Sequence, residues 1–249
     1  MTELYKNEKL DIYERAHYSL GEQVEEVSQI LSWYGARGRR VLDVGCSGGL
    51  HALEFARRGF SVTGVDIEPS AIERAKERSG ELKISAQFKV LDLRVDSLSS
   101  LGRFDLIYSL GNVLSHIDKE KMVGVLRKIG ACLANRGVFL FDLLLKGNPF
   151  RKEIRDEKHR ILWTRGLEEQ SGRINMDGAF HDFGVVQHFE VWGYTVEEVL
   201  KITAASGFVM QGICEHLGFA EGTEHGDNPF CLNFRARLMI AGARSGAVS

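Results

Sequence analysis

Asp43-Val44-Gly45-Cys46-Ser47-Gly48-Gly49 places three glycines within seven residues, directly after a short apolar run and directly before a helical pattern. Backbone without side chains lets a ligand approach closely, and the amides at a helix start favour polar or anionic groups. Such a turn predicts a cofactor site. Asp66 stands 66 − 45 = 21 residues beyond Gly45, at the end of a second β-branched run, where a carboxylate can accept hydrogen bonds from both hydroxyls of a ribose. A nicotinamide site needs G-x-G-x-x-G, and Ser47 occupies the second glycine of that pattern, so NAD is disfavoured. A further acid, Asp92, closes the run Val90-Leu91-Asp92-Leu93. Leu110-Gly111-Asn112-Val113-Leu114-Ser115-His116 follows another apolar strand as a loop of mostly small residues. In it Asn112 offers an amide that can orient a substrate or cofactor, and His116 an imidazole that can accept a proton. Each residue also has a purely structural reading: a turn glycine, a solvated loop acid, a hydrogen-bonded histidine.

These residues need elements to hold them. Apolar residues at three- and four-residue spacing predict a helix over 24–34, ahead of the first strand, Val41-Leu42-Asp43-Val44. Strands over 61–65, 87–91, 104–109 and 138–143 alternate with helices over 50–56, 69–79 and 119–133. That alternation implies a parallel sheet covered on both faces, with its ligands at the carboxyl ends of the strands. After Asp142 the rhythm changes: 161–164, 173–183 and 185–192 read as short antiparallel strands between glycine and charged turns. Thr195 with Glu198 has capping-box spacing, so a helix starts there and ends before Gly207. Runs 208–214 and 230–239 are expected as a final antiparallel pair at one sheet edge.

Composition excludes whole classes. The 249 residues carry 32 Lys+Arg against 34 Asp+Glu, a net charge of −2, so no basic field is present to hold a nucleic-acid backbone. No apolar run is long enough for a membrane span, and charges in the first nine residues argue against an export signal, so a cytoplasmic protein is expected. Cys46, Cys132, Cys214 and Cys231 are scattered without a CxxC pair, as reduced thiols rather than a disulfide or zinc framework. Neither His181-Asp182 nor His225-Gly226-Asp227 has metal-ligand spacing, so no metal is expected.

The stretch VLDVGCSGGLHALEFARRGFSVTGVDIEPSAIERAKER resembles the first motif and second strand of the S-adenosylmethionine-dependent methyltransferases with the Rossmann-like fold. Asp43, Gly45 and Gly49 match the family's D-x-G-x-G-x-G loop, while Ser47 replaces its middle glycine. The resemblance extends over about 41–142 and implies a doubly wound α/β sheet, mostly parallel with an antiparallel last strand. It also implies S-adenosylmethionine as cofactor, bound by Asp43, Gly45, Cys46, Gly49 and Leu110, by Asp66 with Ile67 at the ribose, and by Asp92 with Leu93 at the adenine. Tyr5, Tyr13, Arg15 and Tyr18 form a cluster that in many similar methyltransferases folds over the cofactor, with Tyr13 as its expected contact. The resulting domain plan has an N-terminal lid and helix over 1–37, a Rossmann-like domain over 38–146 and 194–241, and a β-rich substrate-binding insert over 147–193. Leu110–His116 is similar to the matching loop of small-molecule N-methyltransferases of the glycine and sarcosine type. It makes Asn112 and His116 the catalytic candidates and an amine nitrogen of a small metabolite the expected acceptor. An O-methyltransferase acting on a hydroxylated metabolite is the alternative, and a cofactor-binding regulator without catalysis is the reading from a different class.

Overall fold

The computed structural model describes residues 9–11, 14, 20–34, 38–146, 150–155, 160–168, 172–181, 184–214 and 231–238. Helix α1 (Leu20–Tyr34) leads into strand β1 (Arg40–Val44), whose last four residues are all buried. A strand covered on both faces reads as an unbroken apolar run, and β1 does so apart from Asp43. Helix α2 (Leu50–Arg57), β2 (Ser61–Asp66), α3 (Pro69–Leu82, with Pro69 in its first turn) and β3 (Gln87–Val90) follow. Then come β4 (Phe104–Ser109), a 3-10 turn at Val113–His116, α4 (Lys119–Ala131) and β5 (Leu133–Leu144). The chain next enters β6 (Phe150–Arg155), β7 (Arg160–Glu168), β8 (Arg173–Phe180) and β9 (Val185–Trp192). It returns through α5 (Val196–Ala205), β10 (Phe208–Cys214) and β11 (Cys231–Leu238).

Among the described residues the main sheet has seven strands in the order β10-β11-β5-β4-β1-β2-β3. β1 to β5 are mutually parallel, whereas β11 runs antiparallel to both β5 and β10. The expected antiparallel pair is therefore present, with β11 threaded between β5 and the edge strand β10. Side chains alternate across the sheet. Ile107, Phe139 and Phe141 face α4 in a cluster with Met122, Val125 and Ile129, while Leu106, Tyr108, Val138 and Leu140 face Ile30, Leu53 and Phe55 on the other side.

Strands β6 to β9 form a second, antiparallel sheet of sequential neighbours. The sequence reading has three strands here, and β6 is the correction: Phe150-Arg151-Lys152-Glu153-Ile154-Arg155 carries charges that hide its two-residue alternation. Phe189 on β9 meets the His116 ring edge-on, with centroids 5.9 Å apart, so this sheet abuts the loop after β4. The capping box of α5 is formed on both sides: the Glu198 amide donates to Thr195 Oγ1 at 3.1 Å and the Thr195 amide to Glu198 Oε2 at 2.8 Å.

Candidate active site

The carboxyl ends of β1, β2, β3 and β4 open into one cavity of about 490 Å³, within the usual span of small-molecule sites, about 300–1,000 Å³. The chain leaves β1 sharply: the Gly45 and Cys46 amides both donate to the Val65 carbonyl, at 2.8 and 3.0 Å. Gly45 has φ +80°, and a Cβ there would lie 2.4 Å from the Val113 side chain, so the turn and the loop after β4 close on each other only with glycine here. Ser47 also lies in the left-handed region, at φ 48°; that conformation costs an L-residue roughly 1–2 kcal/mol. Two bonds offset it, from the Ser47 amide to Asp66 Oδ2 at 2.9 Å and from its hydroxyl to Glu14 Oε1 at 3.2 Å.

Of the residues singled out from sequence, Asp43, Gly45, Cys46, Asp66, Ile67, Asp92, Leu93, Leu110 and His116 line this cavity. Gly49 and Asn112 do not. Gly49 faces away, where a Cβ would meet Ala75 at 2.8 Å and the Phe88 ring at 2.9 Å; it is a packing glycine that seats α2 on its neighbours. Asn112 sits on the adjoining loop with its side-chain Oδ1 buried and without a hydrogen-bond partner among the described residues. Tyr13, Tyr5, Arg15, Tyr18, Asp182 and the 225–227 trio lie outside the described residues.

Electrostatics distinguish the walls. Burial pushes the Asp43 carboxyl up to about 7 against the pull of nearby His51. Asp66 is raised by the same cause, although the Glu68 and Ser47 amides donate to it at 2.9 Å each. Asp92 behaves oppositely: the Arg94 guanidinium grips both its oxygens, at 2.7 to 3.2 Å, and holds it below the usual range. Desolvation by its neighbours lowers His116, helped by the charge of Arg94, and so favours the neutral imidazole, although the residue as a whole is exposed. Burial opposes charge on His51, yet its hydrogen-bonded partner Glu26 on α1 prevails and raises it.

Several wall residues were not singled out from sequence. His51 stands two residues past the glycine turn, a signal that spacing alone could have shown. Glu68 lines the cavity two residues past Asp66, with Oε2 buried and unpartnered among the described residues. Glu14, 4% exposed, accepts the Gly48 amide at 3.0 Å and is held by Arg78 of α3 at 2.6 Å. Burial raises it and Arg78 counters. Asp142 holds the loop after β4 from behind, accepting the Gly111 amide at 2.9 Å and the Asn112 amide at 2.7 Å. Glu14 and Asp142 meet their partners across 34 and 30 residues of chain, distances that no local motif spans.

Comparison with known proteins agrees with this geometry. Residues 41–137 match the family described as "Methyltransferase domain". Over 95 residues the chain is 36% identical to the ubiquinone biosynthesis O-methyltransferase of Alkalilimnicola ehrlichii, covering 38% of this chain and 37% of that protein. Over 78 residues it is 40% identical to the magnesium-protoporphyrin O-methyltransferase of Rhodobacter capsulatus, covering 31% and 34%. In fold it is similar to the S-adenosylmethionine-bound amino pentose methyltransferase of Micromonospora echinaspora, at a TM-score of 0.66 and 20% identity over 90% and 94% of the two chains. Residues 41–137 are thus similar to a methyltransferase domain, and the fold around them is the Rossmann-like one shared with that S-adenosylmethionine-bound neighbour. The chain spans little more than a third of the length of the curated relatives it matches. The walls of the cavity suit S-adenosylmethionine. A Cβ on Gly111 would meet nothing within 4 Å, leaving open space beside the loop, and the buried Glu68 Oε2 awaits a donor such as a ribose hydroxyl. No helix among the described residues is long and apolar enough to cross a membrane.

Proposed function

We propose that this protein transfers the methyl group of S-adenosylmethionine to a small molecule, at a hydroxyl oxygen. Asp66 and Glu68 would take the ribose hydroxyls, Asp92 and Leu93 the adenine, and Asp43 with His51 the methionine end. The bound cofactor supplies a methyl on a sulfonium, already activated, so the chain's own task is to align the acceptor, exclude water and remove a proton. His116 carries the reading: a solvent-accessible imidazole on the cavity wall, set against the Phe189 ring and favoured in its neutral form, can accept a hydroxyl proton as methyl transfer proceeds. Both curated relatives carry O-methyltransferase names, which supports oxygen, whereas the expected amine rests on the Leu110–His116 resemblance alone. Nitrogen is the second reading, on that resemblance and on the fold shared with a glycopeptide N-methyltransferase over 87% of this chain. The β6–β9 sheet, through Phe189, would border the acceptor.

A metabolite screen with labelled S-adenosylmethionine, followed by single-turnover kinetics of His116→Gln, tests both readings. With a hydroxyl acceptor the variant should lose about 10²–10⁴ in rate while cofactor affinity holds. A variant that keeps most of its rate, with the rate rising as the acceptor deprotonates, would move the reading to an amine.

A further inference from the structure

Two successive residues after β4 take left-handed backbone, Gly111 at φ +83° and Asn112 at φ +62°. Glycine adopts this freely; asparagine needs support from its surroundings. The support comes from the neighbouring strand β5. Asp142, 7% exposed, offers one carboxylate oxygen to each of the two amides, Oδ2 to Gly111 at 2.9 Å and Oδ1 to Asn112 at 2.7 Å. A second clasp lies two residues further along β5, where the Leu144 amide donates to the Ser115 hydroxyl at 3.0 Å. Ser115 is fully buried, and His116 follows it directly.

We propose that Asp142 is a positioning residue of this site: by accepting the Gly111 and Asn112 amides together, its carboxylate sets the loop conformation that seats Val113 against Gly45 and presents His116 to the cavity. Its relevance to catalysis rests on the methyltransferase reading, while the fixing of the loop does not. A carboxylate suits the task because it has an acceptor for each of two adjacent donors and no donor of its own to repel them. No other side chain of similar length combines these properties: asparagine would turn an NH₂ toward one of the amides. Among the described residues the ionisable group bearing on Asp142 is Glu26 of α1, itself held by His51 of α2, and the loop contributes only amides. Burial, opposed by those amides, brings the Asp142 carboxyl up to about 7, so its acceptor strength changes within an accessible pH range.

The test is amide hydrogen exchange read residue by residue on the full chain, for the unaltered protein and Asp142→Asn, with S-adenosylmethionine affinity measured in parallel. In the variant, Gly111 and Asn112 should exchange at least about tenfold faster, with the amides of Leu106 and Tyr108 on β4 unchanged. In the unaltered protein the protection of the same two amides, corrected for intrinsic exchange, should fall as pH drops through about 7, a readout that remains if the variant does not fold. Unchanged protection in a folded variant, an equal loss across the whole sheet, or a flat pH profile would each overturn the positioning role. Normal cofactor binding beside such a result leaves the methyltransferase reading standing; the expected exchange result without any cofactor binding sinks that reading alone.

Discussion

At the scale of single residues, the carboxylates around the cavity do separate jobs. Asp66 accepts two backbone amides and still has lone pairs toward the cavity, so Asp66→Ala should remove charge-assisted hydrogen bonds to the ribose. A loss of roughly 1.5–3 kcal/mol corresponds to about ten- to a hundred-fold weaker cofactor binding, measurable by calorimetry on a folded variant. An unchanged dissociation constant would put the ribose elsewhere. Asp43 and Asp142 bear on pH. Both are raised from 3.8 to about 7 by burial, so folding favours their protonated forms. Their stabilising contribution is complete below about pH 3.8 and is lost as pH rises to about 7, which makes the cofactor-free protein less stable across that window. Above it Asp43 is an anion in the cavity wall, where a sulfonium is attracted and an uncharged thioether is not. The melting-temperature rise given by S-adenosylmethionine should therefore grow from about pH 6 to about pH 8, and that given by its demethylated product should grow less. Parallel pH slopes for the two would contradict this placement of Asp43.

At the scale of elements, the described part of the N-terminal segment is tied down by α3. Asp11 pairs with Arg74 at 2.9 Å and Arg78 at 2.6 Å, and Glu14 reaches Arg78 and the glycine turn together. Arg78→Met would leave the buried Glu14 charge without its partner, a change that costs about 3–5 kcal/mol in such pairs. The segment should then undock before the sheet unfolds, seen as protease cleavage near residue 14 with little change in the main melting transition. Adding Glu14→Gln should restore much of the protection, and cleavage unchanged by either substitution would mean the ion pair is not what holds the segment. The sheet itself was legible because β1 and β2 are largely apolar runs that end at a glycine or an acid ahead of amphipathic helices. β6 was not, because its alternating residues are Arg, Lys and Glu; nor was Asp142, whose role depends on two amides that only the fold brings to it. The Gly45 and Asp66 positions were readable since one turn and one strand end set them. The tight packing of Gly49 against Ala75 and Phe88 was not legible, because a glycine that permits packing and a glycine that touches a ligand look alike in sequence.

At the scale of the whole molecule, two sheets divide the work. The seven-stranded sheet gathers the cavity residues at the carboxyl ends of its parallel strands, and the four-stranded sheet brings Phe189 to His116 beside them. The claim on which everything else depends is that this cavity binds S-adenosylmethionine through the turn that departs from the nicotinamide pattern at Ser47. Titration calorimetry of the full chain with S-adenosylmethionine, its demethylated product and NAD tests it most directly. The account predicts saturable binding of the two sulfur compounds, one per chain, and none of NAD; saturable NAD binding with no heat from either sulfur compound would contradict it.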